Sequence, residues 1–95
     1  MTEKLILTDL KIIKLTNNMH YSRLYHTKNS DHAAILLSQG IKLDIFYREN
    51  GEPVFIFENE RICKDILNDY RKGKLTIGAK DLFRAMKTVQ DYLLA

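Results

Sequence analysis

Residues 41–60 read IKLDIFYRENGEPVFIFENE. Asn50-Gly51 lies between two apolar alternating runs, which predicts a β-hairpin closed by a two-residue type I′ turn, because both central positions of that turn need positive φ. The turn sets the register. Tyr47 faces Val54, Ile45 faces Ile56, Phe46 faces Phe55 and, one step further, Asp44 faces Phe57. Side chains alternate along a strand, so one side of this ribbon carries Ile41, Leu43, Ile45, Tyr47, Val54 and Ile56. That side is almost wholly apolar, and the expectation is that it meets the core. The other side carries Phe46, Phe55 and Phe57 among Lys42, Asp44 and Arg48. Its phenylalanines are expected to pack, either as a second layer within the chain or as a seam between two copies; the alternative is that, beside Lys42 and Arg48, they stack on nucleic-acid bases as the exposed aromatics of sheet-based RNA binders do. Pro53 lacks an N–H and suits a strand start or edge.

The segments on either side of the hairpin read as helices. In NSDHAAILLSQG, Asn29 or Ser30 can cap an N-terminus and Gly40 stops the helix, giving about 30–39. Its run Ala33 to Leu37 is apolar nearly all round, which predicts deep packing. In NERICKDILNDYRKGK, Asn59 caps, Ile62, Cys63, Ile66, Leu67 and Tyr70 form a stripe, and Gly73 ends a helix of about 60–72. Leu75 and Ile77 read as extended. A third helix of about 79–94 follows, with Ala79, Leu82, Phe83, Met86, Val89 and Leu93 as its apolar stripe.

Residues 1–24 are read as an N-terminal strand pair turning at Asn17-Asn18, or as an arm in which TDLKIIKL starts a short helix. Isoleucine and tyrosine favour the strands. Residues 25–95 form one α+β domain, a small antiparallel sheet packed with three helices.

The assembled pattern resembles a family of small uncharacterised proteins of bacteria and their phages. The resemblance is carried by YHT (25–27), AAILLSQG (33–40), VFIFEN (54–59), LNDYRKGK (67–74) and AKDLF (79–83), and spans about residues 25–93. It implies a fold and an origin in a phage or mobile element, and it carries no site residues with it.

The composition, 45% apolar and 28% charged, is that of a globular chain, and no apolar run is long enough to span a bilayer. The single cysteine, Cys63, cannot form an internal disulfide, which suits a reducing cytoplasm, the host's if the gene is a phage's. Beside Ile62 it reads as a small buried apolar residue. The histidines His20, His26 and His32 are too far apart for one metal, and no paired-cysteine or acidic calcium loop occurs. GKLT (73–76) lacks the earlier glycine of a phosphate loop, and no serine sits in a nucleophile elbow. The chain is therefore read as non-catalytic, with no cofactor and no metal.

Charge separates along the sequence. Between Asp44 and Asp69 there are seven acids against three bases; between Arg71 and Thr88 there are six bases against Asp81 alone. Lys80, Arg84 and Lys87 recur at helical spacing on one face, and Arg71, Lys72 and Lys74 can extend that row. Phosphates reward such a row by counterion release. Nucleic acid, or machinery that handles it, is the expected partner. Two other readings stay open: an inhibitor or adaptor of a host protein, including a defence protein, and a self-associating homodimer joined through Phe46, Phe55 and Phe57.

Overall fold

Asn50 and Gly51 both adopt positive φ, 53° and 83°, so the hairpin closes as the Asn-Gly pair predicts. The computed structural model describes residues 23–95. Along them run β1 (Tyr25–Thr27), α1 (Ser30–Ser38), β2 (Leu43–Glu49), β3 (Glu52–Phe57), α2 (Glu60–Arg71) and α3 (Ala79–Leu94). The three strands form an antiparallel sheet in the order β1-β3-β2. The architecture is α+β, and the helices fall where capping and periodicity place them. The expected strand pair about Asn17-Asn18 lies outside the described residues.

The two sides of the hairpin are exchanged relative to the sequence expectation. Tyr47–Val54, Phe46–Phe55 and Ile45–Ile56 pair as read, but Leu43 then faces Phe57, so Asp44 is an extra residue in a β-bulge. The bulge resets the alternation. Ile41 and Leu43 pack with Phe46 against the core, while Ile45 and Tyr47 stay exposed on the opposite side. In an unbroken ladder the Asp44 carboxylate would face Phe57 inside the core, where an unpaired charge is costly; the bulge leaves it exposed.

All three helices join the core from the phenylalanine side. Phe55 and Phe57 are completely buried with Ala33, Leu36, Cys63 and Leu67. Phe46 is half-buried, its ring centroid 5.0 Å from that of Phe55 and 5.2 Å from that of Tyr92. Of the alternatives open for Phe46, Phe55 and Phe57, packing within the chain is the one the structure shows: Phe55 and Phe57 are fully buried in the core, which leaves them no surface for a seam with a second copy or for stacking on a base. Burying each contributes about 1.5–3 kcal/mol relative to exposure.

Local chemistry sets the helix ends. The Asn29 side chain accepts the His32 amide at 3.0 Å, and the Asn59 side chain accepts the Ile62 amide at 3.2 Å. Asn59 does so at φ 64°, a left-handed conformation that asparagine tolerates better than most residues. Ala33, Ala34, Ile35 and Leu36 of α1 are buried, and α1 packs chiefly on α3. On α2, Cys63 and Leu67 face inward, whereas Ile62 and Tyr70 of the expected stripe are exposed. The inner side of α3 is Ala85, Val89 and Leu93, and Phe83 and Met86 are exposed. Arg48 Nη2 donates to the Leu93 carbonyl at 2.7 Å, tying the hairpin to the end of α3.

Candidate functional site

Helix α3 carries three basic residues on one face. With Ala85, Val89 and Leu93 committed inward, a 3.6-residue period turns Lys80, Arg84 and Lys87 outward along one face, and all three are exposed. Asp81 in the first turn complements the positive end of the helix and lies 3.5 Å from Arg84 Nη1. Lys87 Nζ is 3.7 Å from Asp91 Oδ1. Both contacts are long and solvent-exposed, worth little, and open to exchange for a phosphate oxygen.

The other three cations lie at the end of α2 and just beyond it. Arg71 is in the last turn, Lys72 is the C-cap and Lys74 follows in the linker to α3. Gly73, at φ 73°, reverses the chain there, with its amide bonded to the Tyr70 carbonyl at 3.0 Å and the Lys74 amide to the Asp69 carbonyl at 2.9 Å. Arg71, Lys72 and Lys74 are exposed, and among the described residues none of them, nor Lys80, forms an ion pair. The six basic residues therefore form two groups, one on α3 and one at the α2 end, joined by a linker whose Leu75 and Ile77 pack against the core.

Phe83 was not readable as part of this surface. Its spacing assigns it to the apolar stripe, yet it is 67% exposed and stands between Lys80, Arg84 and Lys87 in the helix. Met86 beside it is 49% exposed. Both border a shallow groove between α3 and the N-terminal half of α1, with Ser30 and Asp31 across from them and Gln90 on the α3 side. The only sequence cue was the excess of apolar residues on α3 beyond what one inward face accommodates.

The second surface is the side of the sheet away from the helices. Leu24, Ile45 and Tyr47 are 43%, 47% and 41% exposed, while Val54 and Ile56, opposite Tyr47 and Ile45 on β3, are themselves buried. At the turn end Lys28 Nζ reaches Glu52 at 3.1 Å and Glu49 at 3.5 Å, and the Glu52 carboxylate raises the Lys28 pKa through its hydrogen bond and its charge. At the far end Lys42 and Glu58 approach to 3.9 Å.

Cys63 belongs to neither surface. It is buried, its thiol donates to the Glu58 carbonyl at 3.4 Å, and burial pushes its pKa up to about 11. It is an inert core residue in this fold. Among the described residues no group of three or more His, Cys, Asp or Glu side chains converges as a metal centre would, and no described helix is long and apolar enough to cross a membrane.

Residues 22–95 match the sequence model of a domain of unknown function, DUF5659. The chain belongs to the DUF5659 family. The match takes in every element described above, from β1 to α3, so both surfaces lie within the DUF5659 domain. No curated protein and no solved structure matches the chain.

Proposed function

We propose that this DUF5659 chain is a non-catalytic binding module that engages nucleic acid, or a complex containing it, through the outer face of α3 and the basic end of α2. The observation that carries the reading is the placement of Lys80, Arg84 and Lys87 on one exposed helix face, with Arg71, Lys72 and Lys74 exposed at the end of the preceding helix. Six such cations meeting six phosphates would give log K a slope of about −4 against log salt for a single strand. The reading places the protein in a cytoplasm, that of a bacterial host if the gene is phage-derived, where its single buried thiol is compatible with reducing conditions.

Fluorescence anisotropy with mixed-sequence oligonucleotides between 50 and 200 mM salt tests it. Binding that weakens steeply with salt and is lost in Arg84→Glu supports the reading. Salt-insensitive retention, or equal affinity of the variant, counts against it.

The exposure of Ile45 and Tyr47 on the side of the sheet away from the helices favours a second reading, self-association. Ile45 and Tyr47 are bounded by Lys28, Glu49 and Glu52 at the turn end and by Lys42 and Glu58 at the other. A second copy laid against this side would cover Ile45 and Tyr47. Light scattering should then give twice the 11.1 kDa chain mass, reverting to one on Tyr47→Lys. A single-chain mass at all concentrations removes this reading and leaves the sheet face to a different protein, such as a host target.

A further inference from the structure

The geometry points to the groove beside Phe83 as a nucleobase site, which makes the α3 surface a reader of unpaired, single-stranded nucleic acid rather than of duplex. This inference rests on the nucleic-acid reading above and adds the form of the ligand. A phenyl ring that is 67% exposed is out of place on a helix face built only for solubility. It is placed where a strand would need it: Lys80 precedes it by one turn and Lys87 follows it by one turn, and Lys87 borders the same groove. Phosphates held by those cations leave their bases free to turn inward onto the ring, and stacking of this kind is open only to bases that have no pairing partner.

The groove has the composition such a base needs. Met86 lies beside the ring, and Ala34 and Val89 supply apolar surface below it. The space is about 540 Å³ and open to solvent, large enough for a base together with the water it retains. The polar groups on its border are Ser30, Asp31, Lys87 and Gln90, so one of the cations of the outer face reaches the rim of the groove. Asp31 would repel a phosphate, so a backbone laid across α1 is disfavoured. Toward a base edge the same carboxylate is an acceptor for an exocyclic amino group, of the kind cytosine presents and thymine lacks. The hydroxyl of Ser30 and the amide of Gln90 can satisfy the remaining donors and acceptors. The cations thus take the backbone on the outer face of α3, and the aromatic and polar groups take a base on the flank facing α1.

The test uses the full chain and fluorescein-labelled dC12, dT12 and a duplex of the same length, read by anisotropy at fixed salt. Wild type should bind dC12 at least about tenfold more tightly than duplex. Phe83→Ala should weaken the single strand by about tenfold or more while leaving duplex affinity unchanged, and Phe83→Tyr should restore it. Asp31→Ala should lower the ratio of dC12 to dT12 affinity. Because Phe83 is exposed, the variants are expected to keep the wild-type thermal unfolding curve, which is measured alongside. Equal binding of duplex and single strand, or an unchanged dC12 affinity in Phe83→Ala, overturns the base site and leaves the electrostatic reading standing. An unchanged base ratio in Asp31→Ala overturns its part in the site. Failure of wild type to bind any of the three ligands removes the nucleic-acid reading itself.

Discussion

Leu43 lies opposite Phe57 across β2 and β3, in the place that an unbroken register counted from Asn50-Gly51 assigns to Asp44. The displacement of one residue decides which side of the hairpin becomes core. It moves a leucine in and leaves a carboxylate in solvent. It also divides the odd-numbered residues of β2, so that Leu43 faces the helices and Ile45 and Tyr47 do not.

Deleting Asp44 should therefore be tolerated. Without it the ladder runs straight from Ile45 to a Leu43 that still meets Phe57, and the loss of stability should stay under about 1.5 kcal/mol, on the mild side of typical substitution effects. Leu43→Asp should cost more, about 2–4 kcal/mol, because it places a charge against Phe57. Urea unfolding of the two variants distinguishes them; equal losses would mean that the bulge does not control the facing.

The exchange of sides predicts a sharp contrast between neighbours in sequence. Phe55→Ala should destabilise by about 3–5 kcal/mol and Phe57→Ala by a similar amount. Tyr47→Ala, on the exposed side, should fall within about 1 kcal/mol of wild type when measured at concentrations where the protein is monomeric. The reverse order in denaturant midpoints would restore the arrangement expected from alternation alone.

Asn59 is both a cap and a left-handed residue, so its two roles can be separated. Asn59→Ala loses the bond to the Ile62 amide and also adopts φ 64° with difficulty, for a total of about 2 kcal/mol. Asn59→Gly loses only the bond and should cost a few tenths of a kcal/mol. Thermal melts of the pair check the difference, and an alanine variant as stable as the glycine one would show that the backbone is not held in that conformation.

The buried thiol makes stability depend on alkaline pH. Cys63 ionises at about 11 in the folded chain against an ordinary value of 9.0, so between those values the unfolded chain binds fewer protons than the folded one. Stability from this group is complete below pH 9 and declines as pH rises toward 11. Denaturant midpoints measured across that window should fall faster for wild type than for Cys63→Ala. Parallel curves would indicate that the thiol titrates normally. At neutral pH the native thiol should resist alkylation until the domain unfolds.

The legible parts of this fold are those specified by local chemistry. Asn50-Gly51 marks the turn because few other pairs take two positive φ angles, and Asn29 and Asn59 mark helix starts because their side chains replace missing backbone acceptors. The facing of the hairpin was not legible, since both sides are apolar and nothing in LDIFYRE announces an unpaired residue. The surplus on α3 was hidden in the same way. Phe83 and Met86 obey the spacing of an inward stripe, and only Ala85, small enough to let α3 approach the alanines of α1, shows where the inward face lies. The basic residues were legible as a row because charge is exposed by default, whereas the aromatic among them was visible only once packing had excluded it from the core.

The bond from Arg48 to the Leu93 carbonyl joins positions 45 residues apart and satisfies one of the acceptors that a helix leaves open at its end. On a ribosome, β2 and β3 would emerge with that guanidinium unmatched, and Phe46 would await the Tyr92 ring that later lies against it. The hairpin should therefore remain soft during synthesis and stiffen only when the last turn of α3 arrives. That turn acts as a latch whose closing completes the domain.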